Sequence, residues 1–256
     1  MVAQDKNMRC VVLAPDCAEL TIADGESVRL VRRLCDSARE VVLSVGRGAR
    51  VVLDEVCGGE VAAGNLVVRL AEGSHLAMTA AYLGGGGEVK HRIELCGAEA
   101  ELEYNALYIV GGEERMNIEL DVRHEVADCL SSEVVKGIAA GLARGRFSGM
   151  IYVAPDAQRT VALQQNRNLL LNDRAEIKTE PQLEIYADDV KCSHGATVGQ
   201  MDEDAIWYMR QRGLDEAAAR RLQMMGFAAD ITSRVADTAL REELEEMITN
   251  KLDSLN

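Results

Sequence analysis

Aromatic residues and prolines are scarce in this sequence. Of its 256 residues, 4% are Phe, Trp or Tyr, and three are proline. The hydrophobic content of 48% must therefore come mainly from Val, Leu, Ile and Ala. A core built from such residues suits thin, regularly stacked layers better than a sandwich anchored on large aromatic side chains.

Positive charge and long apolar runs are also lacking. The formal net charge is -14 at pH 7, which disfavours binding to nucleic acid or to an anionic membrane surface. No apolar run approaches the ~18 residues of a transmembrane helix, and the polar segment 1–9 lacks the apolar region of a signal peptide. The seven scattered cysteines form no disulfide framework and suit a reducing compartment. We therefore expect a cytoplasmic protein.

Signatures of self-contained catalytic and metal sites are absent. The sequence has no Gly-x4-Gly-Lys-Ser/Thr phosphate loop, no Cys-x2-Cys pair and no Gly-x-Ser-x-Gly elbow. We therefore expect no stably bound cofactor in the isolated chain and no enzymatic activity. One enzymatic alternative uses Asp188 and Asp189, with Glu184, as carboxylates for acid–base work on a polysaccharide. The shortage of aromatic residues and the missing secretion signal weigh against it.

From about residue 10 to residue 194, apolar and polar residues alternate with the period of two that is typical of β-strands. In the segment 117–126, Ile118, Leu120, Val122 and His124 share one face, and polar residues occupy the other. Glycines separate such segments. The candidate strands are 10–13, 28–34, 40–45, 50–56, 65–70, 75–83, 89–95, 100–110, 117–126, 132–140, 146–153, 159–171, 175–178, 182–186 and 190–194. Even spacing favours a β-solenoid, but a sandwich or a barrel fits the spacing as well. His91 and His124 lie on apolar faces, so we expect both in the core.

The periodicity becomes helical after Met201. Asp202 and Asp215 are predicted N-caps of two helices that end at Gly213 and Gly226, and a third helix is predicted over 229–251. We expect a β core over 1–201 and a helical domain over 202–256, packed on or projecting from the end of that core.

The first two predicted helices carry more apolar side chains than one buried face needs. An unused apolar face on a small helical domain indicates a binding surface for a partner protein. The residues that we assign to this surface are Ile206, Trp207, Met209, Leu222 and Met225.

The stretch 187–199 joins the strands to the helices and carries the candidate site. Val190, Cys192 and His194 recur at spacing two, so on a strand they share one face. A thiolate and an imidazole are both iron ligands. The alternative is that Cys192 is a small buried hydrophobe and His194 a hydrogen-bonded core histidine. We expect the strand to end at Gly195, with Gly199 beyond it.

Several segments in this region resemble the C-terminal core of the SufB/SufD family, the scaffold subunits of the SUF iron–sulfur cluster assembly machine. They are Asn168-Leu169-Leu170-Leu171, Pro181-Gln182-Leu183-Glu184-Ile185, the stretch 187–199, and Met209-Arg210-Gln211-Arg212-Gly213. The run Lys191-Cys192-Ser193-His194-Gly195-Ala196 resembles the SufD side of the family more than the SufB side.

This resemblance implies a mainly β protein, with a right-handed parallel β-helix followed by a small C-terminal helical domain. It implies a non-enzymatic scaffold whose helices bind a SufC-type ABC ATPase. It also implies a dimer, with a SufB-type subunit or a second copy paired near Cys192 and His194. His194 would then be a metal ligand for a transient iron–sulfur cluster shared with the partner.

One feature departs from the family pattern. SufD proteins commonly carry an N-terminal helical region, whereas this sequence begins almost directly with strands, which would suit a minimal homodimeric version. A purely structural β-solenoid oligomer is the remaining alternative to a cluster-assembly scaffold.

Overall fold

The computed structural model describes residues 8–14, 16–34, 40–59 and 61–255. Within those ranges it contains fifteen strands and three helices. The strands are β1 Arg9–Val12, β2 Glu19–Ile22, β3 Ser27–Arg33, β4 Glu40–Val45, β5 Arg50–Cys57, β6 Ala62–Leu70, β7 His75–Tyr82, β8 Gly86–Leu95, β9 Glu101–Val110, β10 Arg115–His124, β11 Leu130–Ala139, β12 Arg144–Val153, β13 Val161–Leu170, β14 Glu176–Ile185 and β15 Lys191–Gln200. The helices are α1 Glu203–Arg210, α2 Glu216–Thr232 and α3 Thr238–Asp253. The mainly β architecture predicted from the sequence is confirmed.

Successive strands alternate between two sheets. The odd-numbered strands form an eight-stranded sheet and the even-numbered strands a seven-stranded sheet, each in chain order. Neighbouring strands within a sheet pair in parallel, as Leu130 with Val161 and Arg144 with Glu176. Each coil therefore contributes one strand to each sheet, which is a parallel β-solenoid. The sandwich and the barrel that strand spacing also allowed are excluded.

The core lies between the two sheets. In β10, the predicted inward face of Ile118, Leu120, Val122 and His124 is buried, and the opposite face is not. Strands lengthen along the chain, from seven residues in β3 to ten in β13. The later coils are therefore wider, and they hold the largest buried aromatic side chains.

One of these aromatic side chains, Tyr108, fits because two neighbouring positions are glycine. A Cβ at Gly137 would lie 2.2 Å from Tyr108 Cζ, and a Cβ at Gly145 would lie 2.7 Å from Tyr108 Cε2. The ring can lie across the interior because neither position has a side chain. Its hydroxyl donates to Asn168 Oδ1 at 3.0 Å.

The last strand of the seven-stranded sheet crosses a proline. β14 runs without a break where the sequence indicated two strands on either side of Pro181. Pro181 is tolerated because β14 is the outermost strand and pairs with β12 on one side. At the other end of this sheet, β2 has no counterpart among the predicted strands.

The last strand of the eight-stranded sheet is also longer than predicted. β15 continues through Gly195 and Gly199 to Gln200, so the predicted end at Gly195 is wrong. Neither glycine has a positive φ, and pairing with β13 holds both in the strand. His194 therefore lies within a strand of the final coil, and the chain does not turn directly after it.

The three helices lie along the outer face of the eight-stranded sheet. A second apolar cluster joins buried helix residues, such as Ile231 and Leu244, to outward side chains of that sheet. The outward side chains include Val56, Leu107 and Ile138. The helices therefore flank the coils and do not project from the end of the solenoid.

Two predicted helix caps are confirmed, and one predicted helix end is wrong. Asp202 and Asp215 accept hydrogen bonds from the backbone of the first turns of α1 and α2. α2 passes through Gly226 because Ala228 and Ile231, which follow it, are buried. Their burial outweighs the penalty of about 1 kcal/mol for glycine in a helix. The third helix begins after Asp237 and not at 229.

Candidate functional site

His194 lies on the last strand, at the open end of the solenoid. β15 pairs with β13 on one side, and no other described strand lies beyond it. His194 pairs with Gln164, and Cys192 pairs with Ala162, so both predicted site residues share the face that points toward the interior. His194 is exposed, whereas Cys192 is half-buried. The imidazole is thus the accessible group of the two.

The surroundings of Cys192 are those of a packing residue. Its side chain packs against an apolar cluster that includes Ile151, Ala162 and Ala187. Burial raises the pKa of its thiol. A raised pKa keeps the thiol protonated at neutral pH, whereas a nucleophile or metal ligand is a thiolate. The interpretation of Cys192 as a small hydrophobe fits this environment.

A cleft of about 350 Å³ opens beside His194. It is formed by β13 and β15, and its lining residues are Leu163, Gln164, Gln165, Asn166, Arg167, Ser193, His194, Gly195, Ala196 and Thr197. His194 and two residues with buried amide side chains, Gln164 and Asn166, line the same cleft. A ligand bound there would meet polar atoms of the previous coil as well as the imidazole.

The interior behind the cleft is polar. Gln164 Nε2 donates to Glu133 Oε2 at 2.6 Å. Ser131 Oγ donates to Glu133 Oε1 at 3.3 Å, and His124 Nε2 lies 3.0 Å from the same hydroxyl oxygen. All four side chains are buried. A series of hydrogen-bonding groups therefore leads from the core to β13, the strand that pairs with the strand of His194.

Burial determines the protonation states of Glu133 and His124. It raises the pKa of Glu133 to about 7, against the opposing effect of the hydrogen bonds from Gln164 and Ser131. It lowers the pKa of His124 to about 4, so that ring is neutral at physiological pH. The core location predicted for His124 is confirmed. The sequence reasoning missed Glu133 and Gln164, although their inward phase on β11 and β13 was an available signal.

A second buried polar cluster lies in the earlier coils. Glu55 accepts hydrogen bonds from Arg32 Nη1 at 2.8 Å and from the Tyr82 hydroxyl at 2.7 Å. His91 Nε2 lies 3.2 Å from Glu55 Oε1, and its Nδ1 lies 3.0 Å from the Tyr104 hydroxyl. Burial opposes ionisation of Glu55, but His91 and Arg32 outweigh it and hold its pKa below the usual range. The core location predicted for His91 is confirmed.

The helices present a separate exposed apolar surface. Trp207 of α1 is 63% exposed and Leu222 of α2 is 55% exposed. Ile206 is 2% exposed, because it packs into the cluster between helices and sheet. It therefore does not belong to the surface that we predicted. Met209 and Met225 are half-buried beside the same cluster.

The carboxylates of the enzymatic alternative do not converge. Glu184 lines a groove on the outer face of the seven-stranded sheet, and neither Asp188 nor Asp189 lines that groove. The two aspartates occupy an exposed turn. The Asp189 backbone N–H donates to Gln158 Oε1 at 2.9 Å, which fixes the turn to the previous coil. The arrangement therefore does not bring the three carboxylates together for acid–base work.

Within the described ranges, no group of three or more His, Cys, Asp and Glu side chains is arranged to hold a metal ion. Among the described helices, none has both the length and the apolar character that crossing a membrane requires.

Comparisons with known proteins cover most of the chain. Residues 3–227 match the family model for the SUF system FeS cluster assembly SufBD core domain. The chain is 36% identical over 178 residues to the iron-sulfur cluster assembly protein SufD of Escherichia coli. This match covers 69% of the chain and 42% of that protein.

Two further relatives carry names from the same family. An iron-sulfur cluster assembly SufBD family protein of Synechocystis is 34% identical over 162 residues, with 62% of the chain and 36% of the relative covered. A SufBD family protein of Mycobacterium leprae is 30% identical over 247 residues, with 86% of the chain and 63% of the relative covered. The matched region is therefore less than two thirds of the length of each of these three relatives.

Proposed function

The chain belongs to the SufBD core family of the SUF iron–sulfur cluster assembly system, and on that basis we propose that it is a SufD-like scaffold subunit. In this role it has no catalytic turnover of its own and works in the cytoplasm. Its contribution is a rigid β-solenoid that presents one side chain, His194, at an open end. The exposure of His194 on the last strand, which has one free edge among the described strands, is the observation that carries the proposal.

The open end is the surface that we propose for subunit pairing. β15 has a free backbone edge among the described strands, and exposed edge strands are natural pairing surfaces. Exposed apolar side chains lie on the last coils at Leu163, Ile185 and Val198. The partner is a SufB-type subunit or a second copy of this chain. Burial of these side chains in the pair would stabilise it.

In this proposal an iron–sulfur cluster is assembled at the interface. The neutral imidazole of His194 can ligate iron, and the partner supplies further ligands across the interface. Cys192 holds the strand in place through its packing and is not a ligand in this proposal. The cluster is transient and passes on to other proteins.

The helices form the second proposed interface, with a SufC-type ABC ATPase. Trp207 and Tyr208 of α1 and Leu222 of α2 are large and exposed. Aromatic anchors of this kind dominate the energetics of protein interfaces. The same helices are packed on the eight-stranded sheet, so movement imposed by the ATPase would reach the solenoid.

Co-purification with the ATPase and a SufB-type subunit tests the proposal. Trp207→Glu should abolish capture of the ATPase and leave the melting temperature unchanged, because the side chain is exposed. His194→Ala should leave both partners bound and remove cluster formation in the reconstituted complex. Unchanged cluster yield in His194→Ala, with both partners still bound, would favour a purely structural oligomer. Failure to capture either partner would contradict the scaffold role.

A further inference from the structure

Gln164 lies directly beside His194 in the ladder between β13 and β15. The two residues are paired in register, and neighbouring strands of a sheet run about 4.8 Å apart. Because residues at the same register position point to the same face, both side chains face the interior. Both also line the same cleft. The two side chains are therefore neighbours on one face of the sheet.

The amide nitrogen of Gln164 is hydrogen-bonded, whereas its amide oxygen has no partner among the described residues. Its Nε2 donates to Glu133 Oε2 at 2.6 Å. Its Oε1 is buried and has no hydrogen-bond partner among the described residues. The amide lies against Gly149, where a Cβ would be 2.5 Å from Oε1. The glycine therefore leaves room for a buried acceptor that still lacks a donor, and such an acceptor costs stability until a donor satisfies it.

We propose that Gln164 Oε1 accepts a hydrogen bond from one ring N–H of His194 and so presents the other ring nitrogen as a lone pair. The neutral imidazole has one donor and one acceptor nitrogen, and the bond made by the donor decides which nitrogen is free. Histidines that bind metal almost always donate their second nitrogen to an acceptor, usually a carboxylate, a backbone carbonyl or a water. The proposal rests on the ligand role of His194 proposed above, and it assigns Gln164 as a positioning residue.

Glu133 is a second positioning residue, because it holds the Gln164 amide. Its Oε2 accepts from Nε2 of Gln164, and this contact fixes the amide with Oε1 against Gly149. Ser131 fixes the other carboxyl oxygen at 3.3 Å. Glu133→Gln keeps an acceptor for the Gln164 amide and should preserve the arrangement. Glu133→Leu removes the acceptor and should release the amide.

The imidazole tautomer of His194 measures the proposal directly, without a partner or a cluster. Long-range ¹H–¹⁵N NMR on the whole chain resolves its four histidines, and His194→Ala identifies the signal of interest. We expect one tautomer to predominate in the unaltered protein. Gln164→Leu should change the tautomer ratio about fivefold, which one hydrogen bond of typical net strength produces.

Matched variants separate positioning from general damage. Gln165→Leu makes the same substitution one residue away on the exposed outward face, and should leave the ratio unchanged. Glu133→Leu should move the ratio in the same direction as Gln164→Leu, and Glu133→Gln should restore the unaltered value. Gln164→Met replaces Gln164→Leu if the latter fails to fold, because the longer side chain fills the same space.

Three outcomes decide between the alternatives. An unchanged ratio in a folded Gln164 variant overturns the positioning role. A changed ratio accompanied by lower cluster yield in the reconstituted complex supports both the positioning role and the function proposed for His194. A changed ratio with full cluster yield supports the positioning role and overturns the ligand role of His194.

Discussion

Lys136 Nζ lies 2.8 Å from Asp230 Oδ2, and this ion pair joins the solenoid to α2. Lys136 points outward from β11 and is buried beneath the helix. Its ammonium also donates to the Phe227 carbonyl at 3.1 Å and lies 4.5 Å from the centroid of the Phe227 ring. The hydrogen bond from Lys136 lowers the pKa of Asp230. The contact therefore favours docked helices at neutral pH, and this contribution is lost as pH falls through the lowered pKa.

The two halves of this ion pair should respond unequally to substitution. Asp230→Ala leaves a buried ammonium without its counter-ion and should lower the free energy of unfolding by about 2–3 kcal/mol. Lys136→Met keeps the apolar stem and leaves a carboxylate that is 46% exposed, so the loss should be about 1 kcal/mol. Urea titrations of both variants check this order. Arg234→Ala is the control, because Arg234 lies 3.8 Å from the same carboxylate on the surface. Equal losses in the two variants would contradict the argument.

Asp54 should make the stability of the protein fall as pH rises. It is buried on the outward face of β5, and neither of its oxygens has a hydrogen-bond partner among the described residues. Burial raises its pKa to about 7, although Arg29 opposes the shift, and Asp237 adds to it. The unfolded carboxyl, with a pKa of about 3.9, releases its proton more readily. Stability from this group is therefore greatest below about pH 4 and is lost between about pH 4 and pH 7.

Asp54→Asn removes this titration and should stabilise the protein by roughly 2–4 kcal/mol at pH 8, with little effect near pH 4. Chemical unfolding at both pH values checks the prediction. Glu133 has a similarly raised pKa and contributes the same sign of pH dependence. The difference between Asp54→Asn and the unaltered protein isolates Asp54, because Glu133 is present in both. An identical pH dependence in the two proteins would show that Asp54 is not the titrating group.

The alternation of apolar and polar residues in the sequence predicts much of this fold. It identifies most of the strands, although not β2, and the buried face of β10, including His124, because one face of each strand must be apolar. It fails at Pro181, Gly195 and Gly226, where local propensity favours a break. At each of these positions strand pairing or helix packing outweighs the propensity, and neither is visible in a local window.

The hydrogen-bond partners in the polar interior could be predicted from the sequence even less well than the strand and helix ends. Glu133 and Gln164 lie on the inward phases of their strands, but alternation does not show which residues in other coils become their partners. The hydrogen bond between them joins residues 31 positions apart. Only the register of β11 with β13 brings them together. The exposed location of His194 was likewise indicated by the resemblance and not by the periodicity.

Gly137→Ala should destabilise the protein strongly. The added Cβ would lie 2.2 Å from Tyr108 Cζ and 2.6 Å from Asn168 Oδ1. Overpacking of this kind costs about 1–3 kcal/mol or more. Gly199→Ala is the matched control, since no atom lies within 4 Å of a Cβ there, and its effect should stay within about 0.5 kcal/mol. Tyr108→Leu should partly offset Gly137→Ala in a double-mutant cycle. Additive losses would show that the ring is not the obstacle.

His194→Ala should separate stability from assembly. The side chain is exposed, so its removal should cost no more than about 1 kcal/mol of unfolding free energy, the net value of the one hydrogen bond proposed to Gln164. Cluster yield in the reconstituted complex should nevertheless be lost. His194→Cys should retain partial yield, because a thiolate can replace an imidazole at iron. Cys192→Ser should be milder than His194→Ala, since Cys192 acts through packing.

The decisive comparison for His194→Ala is its melting temperature against its cluster yield, with both partner subunits present. Ser193→Ala serves as the control, because Ser193 is also exposed on β15 but points to the opposite face. If His194→Ala acted only by unfolding the protein, its melting temperature would fall markedly and its cluster yield would return at lower temperature. That result would contradict the ligand role, because it would tie the lost yield to unfolding. Loss of yield at every temperature, with at most a small fall in melting temperature and a normal Ser193→Ala variant, follows if the imidazole acts on the cluster itself.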